Sequence, residues 1–125
     1  MNDEDAIVAT ALDYFEGWYD ADLTRADRAL HPRLIKRWAD QVDGDNPRVV
    51  GKEMFLDMLL AGAGAEDKTD HPIEVDVVDI HHNIATAVVR STQYREYLHL
   101  LRTPDGWRIV DAFWQLTEPD RGAQS

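Results

Sequence analysis

The sequence predicts an α+β fold, with helices first and an antiparallel sheet after them. Three observations carry this reading. Four consecutive runs, residues 73–80, 84–92, 94–102 and 107–116, are rich in the Val, Ile, Tyr, Trp and Leu that strands favour. The last two are joined by Thr103-Pro104-Asp105-Gly106, which fits a type I turn with Pro second and Gly fourth. Everything before residue 63 reads chiefly as helix.

The elements follow in order. Asp3 or Asp5 suits the N-cap of a first helix, and acidic residues favour its positive end. Ile7, Ala11, Tyr14, Phe15 and Trp18 then recur at helical spacing, and the helix ends near Trp18 or Tyr19. Asp22 caps a short second helix over residues 23–30, which His31-Pro32 stops because the residue before proline avoids helical geometry. Residues 33–40 hold Leu34, Ile35 and Trp38 and fit either a short strand or one more helical turn. Residues 41–50 read as a polar loop with Gly44, Asn46 and Pro47 as breakers. A third helix spans 52–61, with Met54, Phe55, Met58 and Leu59 on one face. The glycine–alanine segment 61–65 ends it, and residues 118–125 are expected to fray.

At 125 residues the chain is the size of one domain, expected to be ordered over about 4–117. A chain of this length buries roughly two-thirds of its unfolded surface, enough for a core. The charge is −11, from 24 acidic and 13 basic residues, which repels a nucleic-acid backbone or an anionic membrane surface. No apolar run reaches the ~18 residues of a membrane span. The acidic start and the absence of cysteine suit a cytoplasmic protein.

The strand faces suggest a partner. Tyr94, Leu98 and Leu100 alternate with Tyr97, His99 and Leu101. In the last strand Trp107, Ile109 and Phe113 alternate with Val110, Ala112, Trp114 and Leu116. Both faces are thus apolar, whereas a sheet open to water on one side would alternate apolar with polar. Three helices cover one face only. A second copy of the chain on the other, a homodimer packed sheet to sheet, is the simplest completion.

An N-terminal aromatic helix, the Leu30-His31-Pro32 element and the strand–turn–strand from Tyr97 to Val110 together resemble the nuclear-transport-factor-2-like superfamily. Within it the chain most resembles the "Putative lumazine-binding" family of small bacterial proteins, beside the polyketide cyclases. The likeness covers residues 4–116 and is specific for fold rather than chemistry. It implies an α+β cone, with three N-terminal helices packed in the concave face of a curved antiparallel β-sheet and a pocket between the layers. Tyr14, Trp18, Trp38, Phe55, Met58, Tyr97 and Trp114 would then line the pocket, a wall suited to a small aromatic or polycyclic ligand.

Ketosteroid isomerase, scytalone dehydratase and cyclase relatives use acid–base chemistry, with an Asp in the penultimate strand. That position here falls at Leu98 or His99. His99 is therefore the candidate proton-transfer group, with Tyr14 or Asp111 assisting. Regular strands joined by a four-residue turn would set Asp111 opposite Leu98 and His99 opposite Val110, on opposite faces. Only a bulge would change this.

His31 suits the C-terminal end of the second helix. His81-His82 cannot chelate one ion from a regular strand, because neighbours point to opposite sides, and His71 stands alone in a loop. With no Cys set, HExxH, GxGxxG, Walker loop or GxSxG, neither metal nor cofactor is expected. Three functions fit: a small-molecule binder, a cofactor-independent isomerase, dehydratase or cyclase, and a dimerisation or interaction module.

Overall fold

Three helices cover one face of a six-stranded sheet in the computed structural model, which describes residues 2–68 and 72–118. The order is α1 Asp3–Asp20, α2 Leu23–Ala29, β1 Leu30–Asp43, β2 Asn46–Gly51, α3 Lys52–Leu60, a 3₁₀ turn Ala65–Asp67, β3 Glu74–His81, β4 Ile84–Arg90, β5 Tyr94–Thr103 and β6 Gly106–Leu116. This is the α+β cone implied by the sequence. The strands lie in the order β2-β1-β6-β5-β4-β3. The C-terminal meander is antiparallel throughout, but β1 runs parallel to β6, so the whole sheet is mixed.

The helix ends obey local chemistry. Asn2, rather than Asp3 or Asp5, caps α1 by accepting from the Asp5 N–H at 2.8 Å. Asp22 caps α2 through the Arg25 N–H at 3.2 Å. The C-terminal carbonyls of α2 are satisfied by Lys52, which donates to Asp27 O at 3.1 Å and Leu30 O at 2.9 Å. His31, expected there, instead accepts from the Arg33 N–H at 3.0 Å. Between α1 and α2, Asp13 holds both Arg25 and Arg28, each at 2.9 Å.

Residues 30–51 depart most from expectation. Segment 33–40 takes the strand alternative rather than the helical turn, as part of a longer, fourteen-residue strand. The supposed loop 41–50 is largely the return strand of a hairpin. Asp43 pairs with Asn46 across two central residues, and Gly44 takes φ +64°, the left-handed geometry a tight hairpin needs. Of the tail expected to fray, residues 119–125 lie outside the described residues, as does His71.

One bulge resets the last strand. His99 pairs with Asp111 and Leu100 with Ile109, leaving Val110 as the extra residue. Trp107 and Ile109 therefore share the inner face with Ala112, Trp114 and Leu116, while Phe113 points outward and is 49 % exposed. The inner face carries the core: Ile7, Tyr14 and Phe15 of α1 pack over Leu98, Leu100 and Ile109. Each such side chain contributes about 1.5–3 kcal/mol on burial.

Candidate functional site

A cavity of about 290 Å³ opens between α1, α3 and the inner face of the sheet. Its helix-side wall is Trp18 stacked on Phe55, with ring centroids 4.9 Å apart at 25°, and Met58 beside them. Its sheet-side wall is Trp38 stacked on Trp114, at 4.8 Å and 9°. Asp40 fixes that pair by accepting from Trp38 Nε1 at 3.0 Å and from the Leu116 N–H at 2.7 Å. Tyr94 stands edge-on to Trp114 and donates through its hydroxyl to Asp67 at 2.7 Å. Arg48 and Val50, from the hairpin return strand, complete the lining.

Besides Arg48 and Asp67, three polar groups meet within this largely apolar wall. Tyr14 donates to Glu96 Oε1 at 2.5 Å, Lys36 Nζ donates to the Tyr14 hydroxyl, and Lys36 Nζ lies 3.5 Å from Glu96 Oε1. Lys36 is 8 % exposed and Glu96 3 %, so this is a charged pair inside the protein. The ammonium also lies 4.4 Å from the Phe55 ring centre and 5.4 Å from that of Trp114. Burial pushes the Lys36 pKa below the ordinary lysine value, against the opposing pull of Glu96. Burial first, then the Glu96 charge, hold Tyr14 far above the ordinary tyrosine value.

The alternation of the strands explains the triad. Leu34, Lys36 and Trp38 are successive inward positions of β1, and Tyr94, Glu96 and Leu98 of β5. Sequence reasoning missed Lys36 because the segment around it fitted a strand or a helical turn equally, which left its facing undecided. It missed Glu96 although the residue sits in the same inward row as Tyr94, Leu98 and Leu100. A charged residue within an apolar period-two row was the available signal.

Of the residues expected around the pocket, Tyr14, Trp18, Trp38, Phe55, Met58 and Trp114 line it. Tyr97 does not; it faces outward and is 48 % exposed. His99 and Asp111 are also outside the cavity. The bulge at Val110 sets them directly opposite each other on the same outer face, where His99 Nδ1 and Asp111 Oδ2 are 3.7 Å apart. His81 and His82 meet edge-on at 4.5 Å, and the described residues contain no cluster able to hold a metal ion.

The alkaline limb of stability tests how deeply the tyrosines are held. Tyr14, Tyr19 and Tyr94 all have raised pKa values, with burial the first cause in each. Raised native values mean that their contribution is complete below pH ~10 and is lost as pH climbs through the native values. Lys36 acts in the opposite sense, because its depressed value relieves a cost as pH rises toward about 10.5. Three tyrosines outweigh one lysine, so the urea midpoint should fall between pH 9.5 and 11, together with a late rise in absorbance at 295 nm. An unchanged or rising midpoint would count against this placement.

Helices laid in a six-stranded cone around an aromatic pocket define the nuclear-transport-factor-2-like, cystatin-like class. Solved structures bear this out as fold. An NTF-2-like protein of unknown function from Silicibacter pomeroyi is 18 % identical over 93 % of this chain and 99 % of its own, with a TM-score of 0.72. A ketosteroid isomerase-like protein from Erwinia carotovora atroseptica is 17 % identical over 94 % and 98 %, with a TM-score of 0.67. A domain of unknown function with a cystatin-like fold from Nostoc punctiforme is 13 % identical over 90 % and 76 %, with a TM-score of 0.61. No curated protein matches the chain. The family model described as "Putative lumazine-binding" matches residues 2–115, and the chain belongs to that family.

Proposed function

We propose that this protein binds a small flat aromatic or polycyclic molecule in the cone, between the Trp18–Phe55 and Trp38–Trp114 walls. The observation that carries this reading is the pocket itself: two stacked aromatic pairs flank a cavity that also holds a buried Lys36–Tyr14–Glu96 cluster. Aromatic walls supply affinity for any flat ring, and a few placed polar groups supply orientation. The family description names lumazine, a flat fused-ring compound of this class. A binder of this kind needs no resident metal or cofactor, and the cytoplasm is the compartment that suits it. An acid–base isomerase, dehydratase or cyclase would work through Lys36, Tyr14 and Glu96, because His99 and Asp111 do not reach the cavity.

Tryptophan emission reads the site directly. A panel of fused-ring aromatics headed by 2-naphthol should quench it saturably at sub-millimolar concentration. Replacing outward-facing Phe113 by Ala should leave that quenching alone, whereas Trp114→Ala should weaken it. A flat, non-saturating response across the panel would remove the ligand-binding reading.

The sheet-to-sheet homodimer belongs to the same proposal. One outward row crosses every strand: Asp76, Val88, Tyr97, Phe113, Arg37 and Val49 pair in succession. Its centre is aromatic, and an acid and a base lie toward opposite ends. A two-fold axis through Tyr97 and Phe113 brings Asp76 of one copy toward the Arg37 end of the other, a self-complementary arrangement. Sedimentation should give a dimer at micromolar concentration and a monomer for Phe113→Asp. A monomeric parent protein would sink the proposal.

A further inference from the structure

We propose that Lys36 is an imine-forming nucleophile, and that the pocket takes flat aromatic aldehydes or ketones as covalent, reversible ligands. The proposal rests on the ligand-binding reading above and narrows the ligand to one that carries a carbonyl. The chain has three lysines. Lys52 is engaged with the end of α2 and with Asp27, and Lys68 pairs with Asp20 at the surface. Among the described residues, only Lys36 brings an amine to the aromatic cavity.

The surroundings match the chemistry at each stage. An amine attacks only when uncharged, and removal of Lys36 from water disfavours its ammonium, although the Phe55, Tyr14 and Trp114 rings offset part of that cost. A proton acceptor stands beside it, Glu96 Oε1 at 3.5 Å, with the Tyr14 hydroxyl bridging the two. Glu96 Oε2 accepts no hydrogen bond among the described residues. Yet no buried side-chain nitrogen or oxygen among them lacks a partner, so this oxygen keeps contact with open space. The space that Glu96 lines is the cavity. The carboxylate thus has one oxygen tied to the triad and one free to serve a bound molecule.

The step balances without any further reagent. Lys36 passes a proton to Glu96, and the free amine bonds to the carbonyl carbon. The carbonyl oxygen gains a proton from the nitrogen, giving a carbinolamine. Glu96 then returns its proton to the hydroxyl, which leaves as water as the C=N bond forms. The product is a protonated imine with Glu96 as counter-ion. The rings that face the ammonium face this cation equally.

The test uses the intact wild-type protein and 2-naphthaldehyde at pH 7.5 with sodium cyanoborohydride, followed by intact mass and a peptide map of the lysines and the N-terminus. The expected result is one saturable reduced adduct on Lys36, formed at least tenfold faster than on Lys52 or Lys68 and suppressed by excess 2-naphthol. Lys36→Arg keeps a cation beside Glu96 and should lose that adduct while keeping the native circular dichroism. Labelling of Lys36 no faster than of Lys68 overturns the imine. In that event, quenching by 2-naphthol, which has no carbonyl, leaves the ligand-binding reading standing, and its absence removes both.

Discussion

Replacing Lys36 by Ala should cost about 3–5 kcal/mol of folding stability, because it strands Glu96 as an unpaired charge in the interior. Domains of this size have roughly 5–15 kcal/mol in total, so the variant should sit near its unfolding transition at moderate urea. The magnitude follows from burial: the two side chains are 10 % and 4 % exposed, so water meets the stranded carboxylate only through the cavity it lines. The converse substitution is as informative. Removing the whole cluster, with Lys36→Met, Glu96→Leu and Tyr14→Phe together, leaves no orphaned group. Tyr14 is included because its hydroxyl would otherwise lose its acceptor, at about 1–3 kcal/mol. This triple variant should match or exceed the parent in urea midpoint, since apolar replacement of a buried ion pair is neutral or stabilising by about 1–4 kcal/mol. It should also bind aromatic aldehydes poorly. Stability recovered with binding lost would mean that the triad is kept for what it does to a ligand. A single Lys36→Ala variant within 1 kcal/mol of the parent would instead show that water reaches the pair.

The parts of this fold that were legible in the sequence are those specified by near neighbours. Ile7, Ala11, Tyr14 and Phe15 announce α1 because helical spacing is a local signal, and all four are buried as it predicts. The meander from Glu74 to Leu116 is legible for the same reason, with Thr103-Pro104-Asp105-Gly106 closing its last hairpin between paired Thr103 and Gly106. Residues 30–51 were legible only in part: 33–40 fitted a strand or a helical turn, and 41–50 read as a loop. Their apolar positions are diluted by Arg33, Lys36, Arg37, Asp40 and Asp43, and β1 is held in part by parallel pairing to β6, more than seventy residues away. The Asp43-Gly44 step was the one local hint of a hairpin.

The site was half legible for a related reason. Aromatic residues on recognised elements, such as Tyr14, Trp18 and Phe55, could be assigned to the pocket from periodicity and fold. His99 and Asp111 could not, because a single inserted residue reverses every later side chain. With Val110 bulged out, Asp111 moves from facing Leu98 to facing His99, and Phe113 rather than Trp114 turns outward. The buried polar groups of the cavity are not the conspicuous histidines but a lysine and a glutamate in ordinary-looking strand positions.

Gly64→Ala should be the second most damaging small change, and its effect should reach the ligand. Gly64 has φ −74°, an angle any residue adopts, so its role is close approach rather than backbone freedom. A Cβ placed there would collide with the Trp18 carbonyl oxygen and lie 2.6 Å from both Cδ2 and Cε2 of the Trp18 indole. The carbonyl belongs to the last turns of α1 and cannot yield alone. The indole can move only by leaving its stack on Phe55. Overpacking of this kind costs about 1–3 kcal/mol. Loss of the aromatic contact removes about 0.5–1.5 kcal/mol more from the helix-side wall, up to about tenfold in affinity for a flat ligand. Gly51→Ala is the matched control, because its nearest foreign atom, the Leu34 carbonyl oxygen, is an ordinary 3.9 Å away. It should stay within about 0.5 kcal/mol of the parent. Urea midpoints and 2-naphthol quenching of the two variants decide the matter. If Gly64→Ala kept both the parent midpoint and the parent affinity, Trp18 would not be a fixed wall of the pocket.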